Sequence, residues 1–386
     1  MTAAGFRAGG LPLLFAVLSL SPAVAAAQSP WRTSYFPYPI GNPTDGVMLI
    51  ARVQRVKDAP YFLAKSGERD VVNPLSFSGA WSAEAGVGTL GSWFVRSDFR
   101  APGLVPGWRF QASVAAERTG HLGFYGAGGG FVDEPNARTE GANDDFFRVH
   151  RRRFFAQAEA TRQLAAHFRL ALAARLDHTE FSPFSDSTLW LERFGRGSHS
   201  STDFVIRPAL VFDSRDREFV PANGALIEAG AFVGTAGSYA GGYAHARGYV
   251  SVRPGTVLAG RILYRDMDGD APLAPRLYLP GWEREIGTAG ASGHRSFPLG
   301  AIASSRLVLG SAEIRHDLLN AGDFGAVTAL GFVDYGFGKD PGVGKASAFG
   351  GGVGLALRVL RSAILTLNFA GGPNGFNFSM GNGWEF

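Results

Sequence analysis

The chain has 386 residues, 46% of them apolar and 18% charged, with a formal net charge of +4. It has no cysteine, and its 53 glycines are about twice the usual share, which is near 7%. A disulfide scaffold and a collagen-like repeat are excluded, and 31 Phe, 10 Tyr and 7 Trp exclude a disordered chain. The basic residues are spread along the chain and not gathered on one tail or helix, which argues against a nucleic-acid partner.

Residues 1–27 form a signal peptide: Arg7 is a positive n-region, Leu11 to Leu20 an apolar stretch, and Ala25-Ala26-Ala27 a small-residue cleavage site. No later run of about 18 apolar residues follows, so no helix is expected to cross a membrane. Residues 28–44 read as a short periplasmic extension. The remaining residues, 45–386, read as one domain.

Within that domain the hydropathy alternates with a period of two. Trp108, Phe110, Ala112, Val114 and Ala116 alternate with Arg109, Gln111, Ser113, Ala115 and Glu117. Phe168, Leu170, Leu172, Ala174 and Leu176 do the same against His167, Arg169 and Arg175, as do Phe204, Ile206, Leu210 and Phe212 against Asp203, Arg207 and Asp213. Connections alternate between short (101–107, 163–166, 253–255, 319–322) and long (about 121–145, 181–202 and 267–302). Turns at one end and loops at the other are the asymmetry of an outer-membrane barrel. The fold class is therefore all-β, a transmembrane antiparallel β-barrel of about sixteen strands with a long inserted loop. The first strand is placed near residue 45, and one strand, near Tyr61 to Lys65, rests partly on the need for an even number.

Arg148, Arg151, Arg152 and Arg153 cluster at the outer end of a strand, where lipopolysaccharide phosphates would be attracted. A solvated rim is the alternative reading. Asp266, Asp268 and Asp270 around Gly269 resemble the opening of a calcium loop, but Leu277 stands where the closing glutamate belongs. In the last third, alternation places Glu313 on one strand and Asp334 on the next, both facing the lumen. The final strand ends in Phe376, Phe378, Met380, Trp384 and Phe386, predicted to face outward at the membrane boundary as the signal read by the barrel assembly machinery. Neither a metal-type histidine pair nor a Gly-x-Ser-x-Gly or phosphate-loop element is found, so no enzyme and no cofactor is expected.

These motifs, in this order, resemble the bacterial surface antigen superfamily of outer-membrane assembly and translocation proteins, typified by BamA and TamA. Phe124 to Gly128 resembles the family's aromatic-Tyr-Gly-x-Gly element. Phe212-Asp213-Ser214-Arg215-Asp216, with Pro221 and Gly224, is similar to its turn motif. Gly293-His294-Arg295-Ser296-Phe297 resembles the tip of its inserted loop, with Ser296 in the place of glycine, and Ala312 to Arg315 and Phe332 to Gly336 resemble the strands that follow. The resemblance implies a barrel-only member without periplasmic substrate-binding domains. It further implies that the long loop folds into the barrel, where Arg295 would lock onto Glu313 and Asp334; separately solvated lumen charges are the alternative. The implied function is assembly or translocation of outer-membrane or exported proteins, through a seam joining Val47–Val56 to Gly375–Phe386. A separate periplasmic partner would replace the missing domains. A passive solute channel and a structural surface antigen remain the alternatives. The expected setting is the bacterial outer membrane, with its lipid and lipopolysaccharide as partners.

Overall fold

The computed structural model describes residues 31–58, 77–125, 145–218, 220–281, 285–321, 325–340, 344–359, 363–373, 375–382, 384 and 386. Residues 1–27, expected to form a signal peptide, and Tyr61 to Lys65 lie outside them. The wall begins with β1 (Trp31–Asn42), β2 (Gly46–Asp58), β3 (Phe77–Gly88), β4 (Trp93–Val105) and β5 (Trp108–Gly123). It continues through β6 (Arg148–Ala165), β7 (Phe168–Pro183), β8 (His199–Asp213), β9 (Gly224–Gly234), β10 (Tyr239–Arg253) and β11 (Thr256–Asp268). A loop carrying the two-residue strands β12 (Tyr278–Leu279) and β13 (Ile286–Gly287) intervenes. The wall then closes with β14 (Arg306–Asn320), β15 (Gly325–Asp340), β16 (Gly344–Val359), β17 (Ala363–Gly372) and β18 (Gly375–Asn382). Each wall strand pairs antiparallel with the next, and β1 meets β18 to complete a closed barrel of sixteen strands.

Closure follows from the alternation. Outward positions such as Leu170, Leu172, Phe204, Ile206, Val353 and Leu355 are exposed apolar side chains, while the intervening Arg169, Asp203, Arg207 and Glu228 are buried inside. In a bilayer every backbone polar group has to be paired internally, and only closure does this for a sheet. Among the described residues no helix is long and apolar enough to cross a membrane.

One correction concerns the first strands. Trp31–Asn42, inside the expected periplasmic extension of residues 28–44, is a wall strand paired with β2 along its whole length. In turn β2 pairs directly with β3, and the strand expected near Tyr61 to Lys65 lies outside the described residues. Of the long connections, 124–147, 184–198 and 269–305 leave one end of the barrel, after β5, β7 and β11, and 59–76 joins β2 to β3 at the other.

Those connections fill that end. Helix α1 (Leu189–Phe194), capped by Thr188 Oγ1 accepting from the Leu191 N–H, buries Trp190 against Phe124 and Phe181. Between β11 and β14, helix α2 (Leu273–Arg276) and the β12–β13 hairpin descend into the lumen. There Leu279, Ile286, Ala289, Phe297, Ala301 and Ile302 pack against Leu263, Leu307, Leu309 and Ala348 of the wall.

Candidate functional site

A loop inside a polar lumen needs donors for its own carbonyls, because each unpaired buried group is costly. Two wall arginines supply them. Arg265 donates to the carbonyls of Pro275 (2.8 Å), Arg276 (3.1 Å), Tyr278 and Ser304, and Arg261 donates to those of Ser292 (2.7 Å) and Gly293 (2.6 Å). Sequence reading assigned neither residue a role, although both stand at inward positions of β11.

At the loop's tip the structure brings Arg295, Glu313 and Asp334 together. Arg295 donates from Nε and Nη2 to the two oxygens of Asp334, each at 2.9 Å, and from Nη1 to Glu313 Oε2 at 2.6 Å. Its backbone N–H also reaches Asp334 Oδ2, at 3.0 Å. The guanidinium lies 3.5 Å from the centroid of the Phe332 ring, and Arg315 holds the other oxygen of Glu313 at 2.6 Å. All four charged residues are at most 5% exposed. A planar fork over two carboxylates and an aromatic face is an arrangement that lysine cannot reproduce.

Ser296 is accommodated by two glycines. Its Oγ donates to the Gly371 carbonyl at 2.9 Å. A Cβ at Gly350 would collide with this hydroxyl, and one at Gly372 would lie 2.8 Å from Ser296 Cβ. Asn377 Nδ2 adds a hydrogen bond to the Arg295 carbonyl at 2.6 Å. The tip therefore bridges β14 and β15 on one side to β17 and β18 on the other. Beside it, burial holds the His294 imidazole below its ordinary pKa, against the pull of Asp334 and with the help of Arg295 and Arg261.

A second anchor lies across the lumen. Glu285 accepts from Arg153 at 2.9 Å and from Arg175, and Tyr278 receives a hydrogen bond from Arg151. This corrects the expected rim cluster. Arg151 and Arg153 are buried inward, whereas Arg152 alone of the strand's three consecutive arginines is exposed outside. Below the loop, a cavity of about 90 Å³ is lined by Arg153, Arg175, Asp177, Asp203, Arg207 and Glu285, among others. Deeper still, Arg207 bridges Glu159 (2.7 Å) and Glu228 (3.0 Å), and His245 faces Glu228 at 2.6 Å.

The turn motif is built at the opposite end. Asp213 accepts from Arg169 (3.0 Å) and Arg215 (3.0 Å), and Asp216 Oδ1 accepts from the N–H groups of Ala222 and Asn223 just beyond Pro221. Gly224 has φ +99°, and a Cβ there would overlap the Ser214 carbonyl, so glycine is required. Asp266 pairs with Arg306 at 2.6 Å. Among the described residues no group of three or more His, Asp or Glu side chains is placed to hold a metal ion.

The seam differs from its expected form. β1, not Val47–Val56, meets β18, and among the described residues only Gly41 is paired across the seam, with Met380. Pro37 and Pro39 share one parity, so both missing N–H groups lie on one edge, and the unbroken ladder to β2 puts that edge on the seam. Nor does the chain end outward. β18 stops at Asn382, and Phe386 is buried in the lumen with Tyr249 and Ala259. Its ring lies 4.8 Å from Arg261, its carbonyl accepts from Arg315 at 2.6 Å, and Trp384 lies 4.3 Å from the Arg315 guanidinium. Two arginines and a strand that ends early draw the last aromatics inside.

Comparison with known proteins finds no matching family model and no matching curated protein. Solved structures do match. BamA from Haemophilus ducreyi, in a form lacking POTRA domains 1–3, aligns over 90% of this chain and 69% of its own, with 13% identity and a TM-score of 0.56. CdiB from Escherichia coli aligns over 92% and 63%, with 11% identity and a TM-score of 0.54. CdiB from Acinetobacter baumannii aligns over 91% and 59%, with 12% identity and a TM-score of 0.50. The chain spans less than two thirds of either CdiB. Its wall is a closed antiparallel β-barrel of sixteen strands with the fold of BamA and CdiB.

Proposed function

We propose that this barrel assists the assembly or translocation of outer-membrane or exported proteins, with the seam between β1 and β18 as its lateral exit. The observation that carries this reading is the seam itself. β1 is paired with β2 from Trp31 to Asn42 but, among the described residues, with β18 only at Gly41, and its two prolines remove donors from the open edge. Few ladder hydrogen bonds have to break for the wall to part there. An unfolded client strand would pair with the freed edge of β18, which carries no proline, and a separate periplasmic protein would deliver it. No catalytic step is assigned to the chain.

The test uses the absence of native cysteine. Gly41→Cys combined with Met380→Cys is oxidised to staple the seam in proteoliposomes, and insertion of an unfolded barrel protein is followed by its heat-modifiable gel mobility. Stapling is expected to stop insertion and reduction to restore it. Equal insertion by the stapled and reduced forms would remove the seam from the mechanism. The alternative of a passive solute channel is opposed by the loop seated across the lumen, held at Arg295 and Glu285.

A further inference from the structure

The outer wall carries a charged row that neither the loop nor the seam uses. Arg306 on β14 is opposite Lys339 on β15, which is opposite Lys345 on β16. All three are exposed on the outward face. Asp266 of β11 lies beside the row and accepts from Arg306 Nη2 at 2.6 Å and Nε at 3.0 Å. Among the described residues neither Lys339 nor Lys345 forms an ion pair. Neighbouring strands lie about 4.8 Å apart, so three cations are crowded within about 10 Å. Like charges directly opposite one another destabilise a sheet, and the nearby carboxylates, Asp266 and Asp268, both lie on the Arg306 side of the row, which leaves an excess of positive charge at Lys339 and Lys345.

The row lies at the end of the barrel from which three of the long connections leave: Arg306 follows the 269–305 loop, and Lys339 and Lys345 flank the next connection at the same end. Toward the middle of the wall the register continues with Tyr264, Val308 and Phe337, then with Ile262, Gly310, Tyr335 and Phe349. A Cβ at Gly310 would meet nothing within 4 Å, which leaves an open slot between Ile262 and Tyr335. Cations above an aromatic and apolar surface with a slot suit a ligand that has an anionic head and acyl chains. Phosphate fits best, because a phosphate monoester carries about −1.5 to −2 charges and its oxygens suit both the arginine fork and the lysine point charges.

We propose that Arg306, Lys339 and Lys345 bind the phosphate groups of an outer-leaflet lipid, whose acyl chains lie along Tyr335, Phe349 and the slot at Gly310. The site rests on the membrane setting of the barrel and not on its assembly role, so the two are scored separately. It also moves the lipid contact away from the β6 arginines, two of which are committed to the lumen.

The test is native mass spectrometry of the full chain in neutral detergent, titrated with lipid A and with dephosphorylated lipid A, and without any client protein. Wild type is expected to retain lipid A and to lose most retention when the phosphates are removed. Lys339→Gln with Lys345→Gln is expected to weaken lipid A binding about thirty-fold, roughly fivefold per surface cation. Lys339→Arg with Lys345→Arg restores it, and Arg162→Gln, an exposed cation at the other rim over Trp108, leaves it unchanged. Equal retention of the two lipids by wild type, an unaffected glutamine pair, or an equal loss in Arg162→Gln would overturn the proposal. So would displacement of bound lipid by millimolar inorganic phosphate, which would show an anion site with no lipid component. If the glutamine pair does not fold, the wild-type comparison of the two lipids decides alone.

Discussion

Arg295 shows how much depends on a single side chain. Its three side-chain nitrogens satisfy two carboxylates that are almost fully buried. Removing one partner of a buried ion pair leaves the other charge without compensation, at a cost of about 3–5 kcal/mol. Arg295→Ala is therefore expected to release the loop tip, and limited proteolysis between residues 269 and 305 measures it. Arg295→Lys, which keeps the charge but loses the fork, should fall between, and a protease pattern identical to wild type in the alanine variant would end the lock. His294 sets the pH dependence. Its folded-state pKa lies below the ordinary 6.5 because the ring is buried, so the docked loop favours the neutral form. Its contribution is fully present above about 6.5 and is lost as pH falls through the lowered value. Protease sensitivity of the loop should rise on acidification, and His294→Phe should blunt that rise. An equal rise in both proteins would assign the effect to the carboxylates instead.

At the scale of elements, the loop between β11 and β14 behaves as a part separable from the wall. It contributes no wall strand, since β11 pairs with β14 directly, yet its ends stand beside each other in that ladder. Deleting residues 269–305 and joining the strands with a short turn should preserve the barrel while emptying the lumen. In planar bilayers wild type is expected to show small, flickering openings and the deletion large, steady ones. A large, stable conductance already present in wild type would favour a solute channel. β1 marks where sequence reading failed at this scale. Pro37 and Pro39 argue against a strand when a ladder is needed on both edges, and the objection disappears at a seam where one edge stays nearly unpaired. Nothing local to Trp31–Asn42 announces that it will lie at a seam.

For the whole molecule, the sequence by itself determined the wall: its antiparallel barrel architecture, its inward and outward faces, and the end that carries the long inserted loop. A two-residue period set against lipid leaves one workable choice of face, since a one-residue slip would turn Arg169, Arg207 and Glu228 toward hydrocarbon. The same parity placed Glu313 and Asp334 in the lumen before any neighbour was known. Only the tertiary structure decided which charges meet. Arg153 and Glu285 are 132 residues apart, and Arg109 and Glu218 are 109 apart. Such pairs depend on how far the loop descends and on the shear of the closed wall, neither of which is encoded in local alternation. Tertiary structure also decided which strand meets β18 and turned Phe386 inward, because both depend on how the two ends of the sheet come together across the barrel. Alternation fixes the direction of a side chain, whereas its partner is fixed by closure, where strands distant in sequence share one lumen.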